Sequence, residues 1–154
     1  MLKSIIIFMA FTFLTSAVEK QLKIPAREHG YSQFQSHLIN SKQTLNDFIA
    51  AVKKQKHWNN QAQFLKVLTQ AKVDFSQNNL VFLRHTEGSG SIQVSPELKI
   101  EKGQVKVTVN RKGVGGIGTA DMAYYCFVYK IPKKSGKEIV LESRDNNKFV
   151  YLLK

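Results

Sequence analysis

The chain has 154 residues, 43% hydrophobic and 22% charged, within the range of ordinary folded proteins. That balance excludes a disordered or collagen-like chain, and the length suits one hydrophobic core and no second full-sized domain, which excludes large multidomain enzymes. Lysine and arginine number 23 against 11 acidic residues, a formal charge of +12, so acidic surfaces and polymers attract the molecule.

Residues 1 to 17, MLKSIIIFMAFTFLTSA, open with one Lys, continue as an apolar run from Ile5 to Leu14 and close on Thr15, Ser16 and Ala17. This is the layout of a secretory signal peptide. The run of about ten residues falls short of the roughly 20 that a membrane-spanning helix needs. The expectation is therefore export, periplasmic or secreted, with cleavage near Ala17 and no transmembrane anchor afterwards. No Cys follows the small residues, which closes the bacterial lipoprotein route. With Lys3 removed, 22 of the 23 basic residues remain against 11 acidic ones, a formal +11. Cys126 is the single cysteine, so no intrachain disulfide forms even in an oxidising compartment.

Residues 18 to 32, VEKQLKIPAREHGYS, carry charge, Pro25 and Gly30 with scattered apolar positions and read as a flexible lead-in. Tyr31 to Asn40 has the β-branched and aromatic content of a first strand. In TLNDFIAAVKKQ, Leu45, Phe48, Ile49 and Val52 recur at i, i+3, i+4 and i+7, one face of an α-helix. Thr44 is placed to cap it with Asp47 three residues on, and Lys53, Lys54 and Lys56 suit its negative end. Asn60 to Gln70 sets Phe64, Leu65 and Leu68 on one face of a second, shorter helix, with Trp58 between the two as a packing anchor.

From residue 80 the pattern is that of strands: 80–85, 91–95, 98–102, 104–110, 122–131, 138–143 and 148–153. QVKVTVN alternates, with Val105, Val107 and Val109 on one face and Lys106 and Thr108 on the other, as a strand with one wet side does. MAYYCFVYKI is apolar on both faces and reads as a central strand, and Lys102-Gly103 as a tight turn. The fold class predicted is α+β: a mainly antiparallel sheet of about six to eight strands, its closure into a barrel-like form left open, with one or two helices near the N-terminus packed on one side. Residues 33–154 form the single domain.

VDFSQNNLVFLRHTEGSGSIQV, then KVTVN, a Gly-rich turn, AYYCFVYKIP and EIVLE, resembles the PrcB-like domain found in subunits of bacterial protease complexes and in many exported proteins. The matching residues are Ser41 to Phe48 at the start of the helix, Val73, Asp74 and Phe75 at the step into the sheet, Gly88 and Gly90 in the turn, and Ile131 with Pro132. The likeness covers roughly residues 36 to 142, and the family's usual t-G-G-Y is here Gly88-Ser89-Gly90-Ser91. The resemblance implies an accessory or binding role, with a protease as a candidate partner, and brings no catalytic residue.

The residues that carry chemistry form no complete set. GVGGIG at 113–118 lacks the helix of a dinucleotide fingerprint and the Gly-Lys-Ser/Thr of a P-loop, so it reads as a hairpin loop free to grip a partner. Cys126 lies in the most apolar strand and reads as a buried hydrophobe. His29, His37, His57 and His85 share no metal-ligand spacing, although His37 and His85 stand on strands that could adjoin. Arg84, His85 and Glu87 beside Gly88, Ser89 and Gly90 form the densest polar cluster, without the G-x-S-x-G elbow that a nucleophilic Ser89 needs. The candidate partner-binding residues are His85, Glu87, Gly88, Ser89, Gly90, Gly113, Gly115, Gly116 and Gly118, with no catalytic residue, cofactor or metal expected. Lys130, Lys133, Lys134 and Lys137 crowd one hairpin and form a solvated basic face; nucleic acid is disfavoured as its partner. The function expected is that of an exported, non-enzymatic binding or accessory domain. The alternatives are electrostatic association with an anionic envelope surface or polysaccharide, and a small hydrolase using Ser89 or Cys126.

Overall fold

The structure, a computed structural model, describes residues 20–88, 91–115 and 121–154. The expected signal peptide at 1–17 and the loop residues Ser89, Gly90, Gly116 and Gly118 lie outside the described residues.

Among the described residues, eight strands, β1 Lys20–Leu22, β2 His37–Ile39, β3 Asn78–Glu87, β4 Ile92–Glu101, β5 Gln104–Gly113, β6 Ala123–Pro132, β7 Ile139–Arg144 and β8 Lys148–Leu153, accompany the helices α1 Lys42–Lys54 and α2 Gln61–Gln70. The protein is α+β, and every strand pairing is antiparallel. Where the sequence suggested one sheet with optional closure, the strands divide into two four-stranded sheets, ordered β1-β6-β3-β2 and β4-β5-β8-β7, with no closed barrel.

The long strands β3 and β6 explain the division. Leu80, Phe82, Cys126 and Val128 on one face of their sheet pack with Leu45, Ile49 and Val52 of α1 and Phe64 and Leu68 of α2. Val81, Leu83, Tyr125, Phe127, Tyr129 and Ile131 on the other face pack with Val105, Val107 and Val109 of β5 and Phe149 and Leu153 of β8. The first sheet is thus the middle layer, and both faces of β3 and β6 must be apolar. Full burial of each such side chain contributes about 1.5–3 kcal/mol. The second sheet keeps an outer wet face, which is why β5 alternates.

Three local expectations are corrected. Residues 18–32 are not a flexible lead-in where the structure describes them: β1 pairs with β6, and a 3₁₀ turn, His29–Gln33, buries Gly30 and Tyr31. Tyr31 stands edge-on to Phe34, Trp58 and Phe64, and its hydroxyl donates to Pro25 O at 2.5 Å. The strand expected over 31–40 therefore shrinks to His37–Ile39, because tertiary packing of the aromatic side chains claims the rest. The strands expected at 91–95 and 98–102 are one strand, β4, running through Pro96. Proline lacks the N–H of a ladder bond, and β4 is an edge strand where that loss is tolerated.

The first helix starts slightly earlier than its periodicity suggested, capped by Ser41 rather than Thr44: Ser41 Oγ accepts from Thr44 N at 3.1 Å. Lys102 and Gly103, at φ 51° and 80°, make the tight turn between β4 and β5.

Candidate functional site

At one end of the sandwich the β3–β4, β5–β6 and β7–β8 connections come together. Val114 N donates to Ser91 O at 3.1 Å, and Arg111 N donates to Asn147 O at 2.8 Å. Gly113 pairs with Ile92, and Glu87 with Ala123. Of the candidate residues, the structure thus brings the exposed Gly88, Gly113 and Gly115 to the same end, above the buried His85 and Glu87. The tips of two of these loops lie outside the described residues, so it is their stems that can be read.

Strand alternation puts His85 and Glu87 on the face of β3 turned to the second sheet, beyond the apolar Val81 and Leu83. Their side chains are each 1% exposed. His85 Nε2 and Glu87 Oε1 are 2.7 Å apart, and His85 Nδ1 is 3.0 Å from the Tyr151 hydroxyl. From β5, Arg111 meets the carboxylate in a fork: Nε donates to Oε1 and one terminal nitrogen to Oε2, both at 2.7 Å. Its other terminal nitrogen donates to Asn146 O at 2.7 Å, in the β7–β8 turn. The Phe149 ring lies under the Arg111 and Arg144 guanidiniums, 5.3 and 5.2 Å from its centroid. One polar frame therefore ties β3 of the middle layer to β5, β8 and the β7–β8 turn of the outer one.

The hydrogen bonds fix the charge states. With Arg111 charged and Glu87 ionised the frame is neutral, and a neutral imidazole completes it by donating from Nε2 to Glu87 and accepting at Nδ1 from Tyr151. Burial holds the His85 pKa below its usual 6.5, outweighing the upward pull of Glu87. Burial alone would raise the Glu87 carboxyl, but hydrogen bonds from Arg111 and His85 overcome it and hold the pKa below 4.5. Burial, aided by the Glu87 charge, pushes the Tyr151 hydroxyl up to about 12. Each group is occupied by another group of the frame, an arrangement suited to bracing strand ends rather than to proton transfer.

The surface above is mixed. Val114 and Met122, at the two stems of the β5–β6 connection, are 50% and 49% exposed. One cleft of about 430 Å³ beside Arg111 is lined by Val94, Lys112 and Tyr125, and another of about 570 Å³ by Arg27, His29, Asp121, Met122 and Tyr124. Glu28 lines the second cleft with its carboxylate occupied by Asn59 N at 3.0 Å and Asn60 Nδ2 at 2.5 Å.

The remaining candidates stand apart. Cys126 is 1% exposed on the helix-facing side of β6, and burial pushes its thiol pKa far above the range in which a thiolate forms. The strands of His37 and His85 do adjoin, β2 pairing with β3, but the two side chains do not meet: His37 stacks on Phe82 with centroids 5.2 Å apart on the helix side, whereas His85 turns to Tyr151 of the other sheet. Among the described residues no group of three or more His, Cys, Asp or Glu could hold a metal ion, and no helix is long and apolar enough to cross a membrane. Sequence reading missed Arg111 and Tyr151. The clue to Arg111 is its place in β5: continuing Val105, Val107, Val109 puts a cation on the inward face, where it needs an anion.

No protein-family model, curated protein or solved structure matches this chain.

Proposed function

We infer that the protein is an exported, non-enzymatic binding domain that engages another protein through the loop end of its sandwich. The observation that carries this reading is the pairing of half-exposed Val114 and Met122 at the stems of one loop with a buried polar frame directly beneath. Exposed apolar side chains gain by burial against a partner, and a braced platform lowers the ordering cost of binding. The PrcB-like layout points the same way and makes a protease one candidate partner.

Export to the periplasm or medium, with cleavage near Ala17, belongs to the same proposal and rests on residues 1–17.

The test is recovery of partners from the native exported fraction by the full chain and by a variant lacking Gly113–Gly118, at low and at high salt. The expected result is a discrete partner retained at high salt by the full chain and lost by the variant. Equal recovery by both proteins removes the loop's role. Binding that disappears as the salt concentration rises favours the anionic-surface alternative, whose charges the exposed Lys112, Arg144 and Lys148 at the same end would supply.

A further inference from the structure

A third cleft lies on the side of the sandwich, near the opposite end of β3 from Glu87. Asn79 and Glu87 are eight positions apart on one strand, about 26 Å. The cleft, of about 630 Å³, separates the free edge of β2 from the β6–β7 connection, and Ser36, His37, Leu38, Asn40, Asn79, Lys133, Gly136, Lys137, Glu138 and Ile139 line it. That volume is within the ordinary range of ligand sites.

Three observations concern what it takes. The first is an unpartnered buried acceptor: Asn79 is 5% exposed, and its Oδ1 is buried with no hydrogen-bond partner. The only other such atom among the described residues, Tyr129 Oη, belongs to a residue that does not line the cleft. A buried acceptor left alone is costly, so a ligand that brings a donor to it gains more than one that meets solvated groups. The second is the edge. β2 is the last strand of its sheet, and along an antiparallel edge alternate residues turn N–H and C=O outward, where an extended chain can add. The third is charge. Lys133, whose ammonium donates to Phe75 O at 2.9 Å and keeps its charge, and the exposed Lys137 line the cleft against the single carboxylate of Glu138, on a chain of formal charge +12.

The far wall is fixed. Lys137 N and Glu138 N both donate to Lys154 O, and Lys154 N donates to Glu138 O at 2.9 Å. A Cβ placed on Gly136 would come within 2.7 Å of Leu153 Cβ, so the connection lies tight against β8.

We propose that this cleft binds an extended acidic peptide segment of a partner protein, added along β2. A peptide N–H donates to Asn79 Oδ1, and acidic side chains sit against Lys133 and Lys137. The site is separate from the loop end and does not depend on what the loops bind.

The test uses the purified full chain and a fluorescent, end-blocked decapeptide alternating Glu and Val, with a Lys/Val decapeptide and a uronic-acid pentasaccharide as comparison probes. The Glu/Val peptide binds saturably and slows amide exchange across Ser36–Asn40. Asn79→Leu weakens binding about tenfold, the loss of one buried hydrogen bond, while raising the thermal midpoint because the unpartnered acceptor is gone. Lys137→Glu, at an exposed position that leaves the fold intact, also weakens it about tenfold. The proposal is overturned if no saturable peptide binding occurs, if the pentasaccharide binds and the peptide does not, if the Lys/Val peptide binds as well, or if both variants bind like the native chain.

Discussion

Glu87 keeps a negative charge with 1% of its side chain exposed, and three nitrogen–oxygen contacts from His85 and Arg111 surround the carboxylate. Taking one partner from such a pair leaves an uncompensated charge, which costs about 3–5 kcal/mol, whereas replacing both by apolar residues of similar size is close to neutral. Glu87→Gln is therefore expected to lower unfolding free energy by about 3–5 kcal/mol, and Glu87→Met with Arg111→Met to recover most of it, as read by urea denaturation. His85 adds a pH dependence. Its pKa is lower folded than unfolded, so the unfolded chain takes up a proton first as pH falls, and stability is lost from pH 6.5 downward through the folded pKa. Glu87, also lowered, extends the loss below pH 4.5. Denaturation midpoints measured between pH 8 and pH 5 should fall in the native chain and fall less in His85→Gln. A flat native profile over that interval would contradict the neutral buried imidazole.

At the scale of elements, α1 and the 3₁₀ turn carry separate expectations. Ser41→Ala removes the hydrogen bond to Thr44 N and should cost about 1 kcal/mol in the same urea assay. Gly30 lies against the Trp58 indole, and a Cβ there would come within 1.8 Å of a ring atom, so Gly30→Ala must displace a ring held by Tyr31 and Phe64. Overpacking of this kind costs about 1–3 kcal/mol, and a quenched or shifted Trp58 fluorescence should accompany it. The elements legible from sequence were those whose pattern is local. Leu45, Phe48, Ile49 and Val52 specify α1 by period, Val105, Val107 and Val109 specify β5, and the two apolar faces of MAYYCFVYKI correctly make β6 an interior strand. The rest was not local. Lys20–Leu22 become a strand because β6 offers an edge, and Tyr31 leaves the strand pattern because three aromatic neighbours hold it elsewhere.

The whole molecule is three layers, helices over one sheet over another, and the two-sheet division was not legible because strand order depends on pairings far apart in sequence. Turn chemistry marks the glycine-rich segments as loops, but Arg111 and Tyr151 enter the frame only once β5 and β8 lie across from β3. What the sequence did mark was His85 and Glu87, since two ionisable residues on one face of an apolar strand require partners. The layered arrangement leaves two separated openings, the loop end with its exposed Val114 and Met122 and the side cleft with Asn79.

The most direct test of a partner-binding loop end is site-specific photocrosslinking in the native exported fraction, with the reactive group at Val114 and, as a control at the opposite end and away from the side cleft, at the exposed Glu101. A discrete protein adduct from position 114, absent from position 101 and persisting at high salt, is the result expected. Equal adducts from both positions, or none from position 114, would contradict the account.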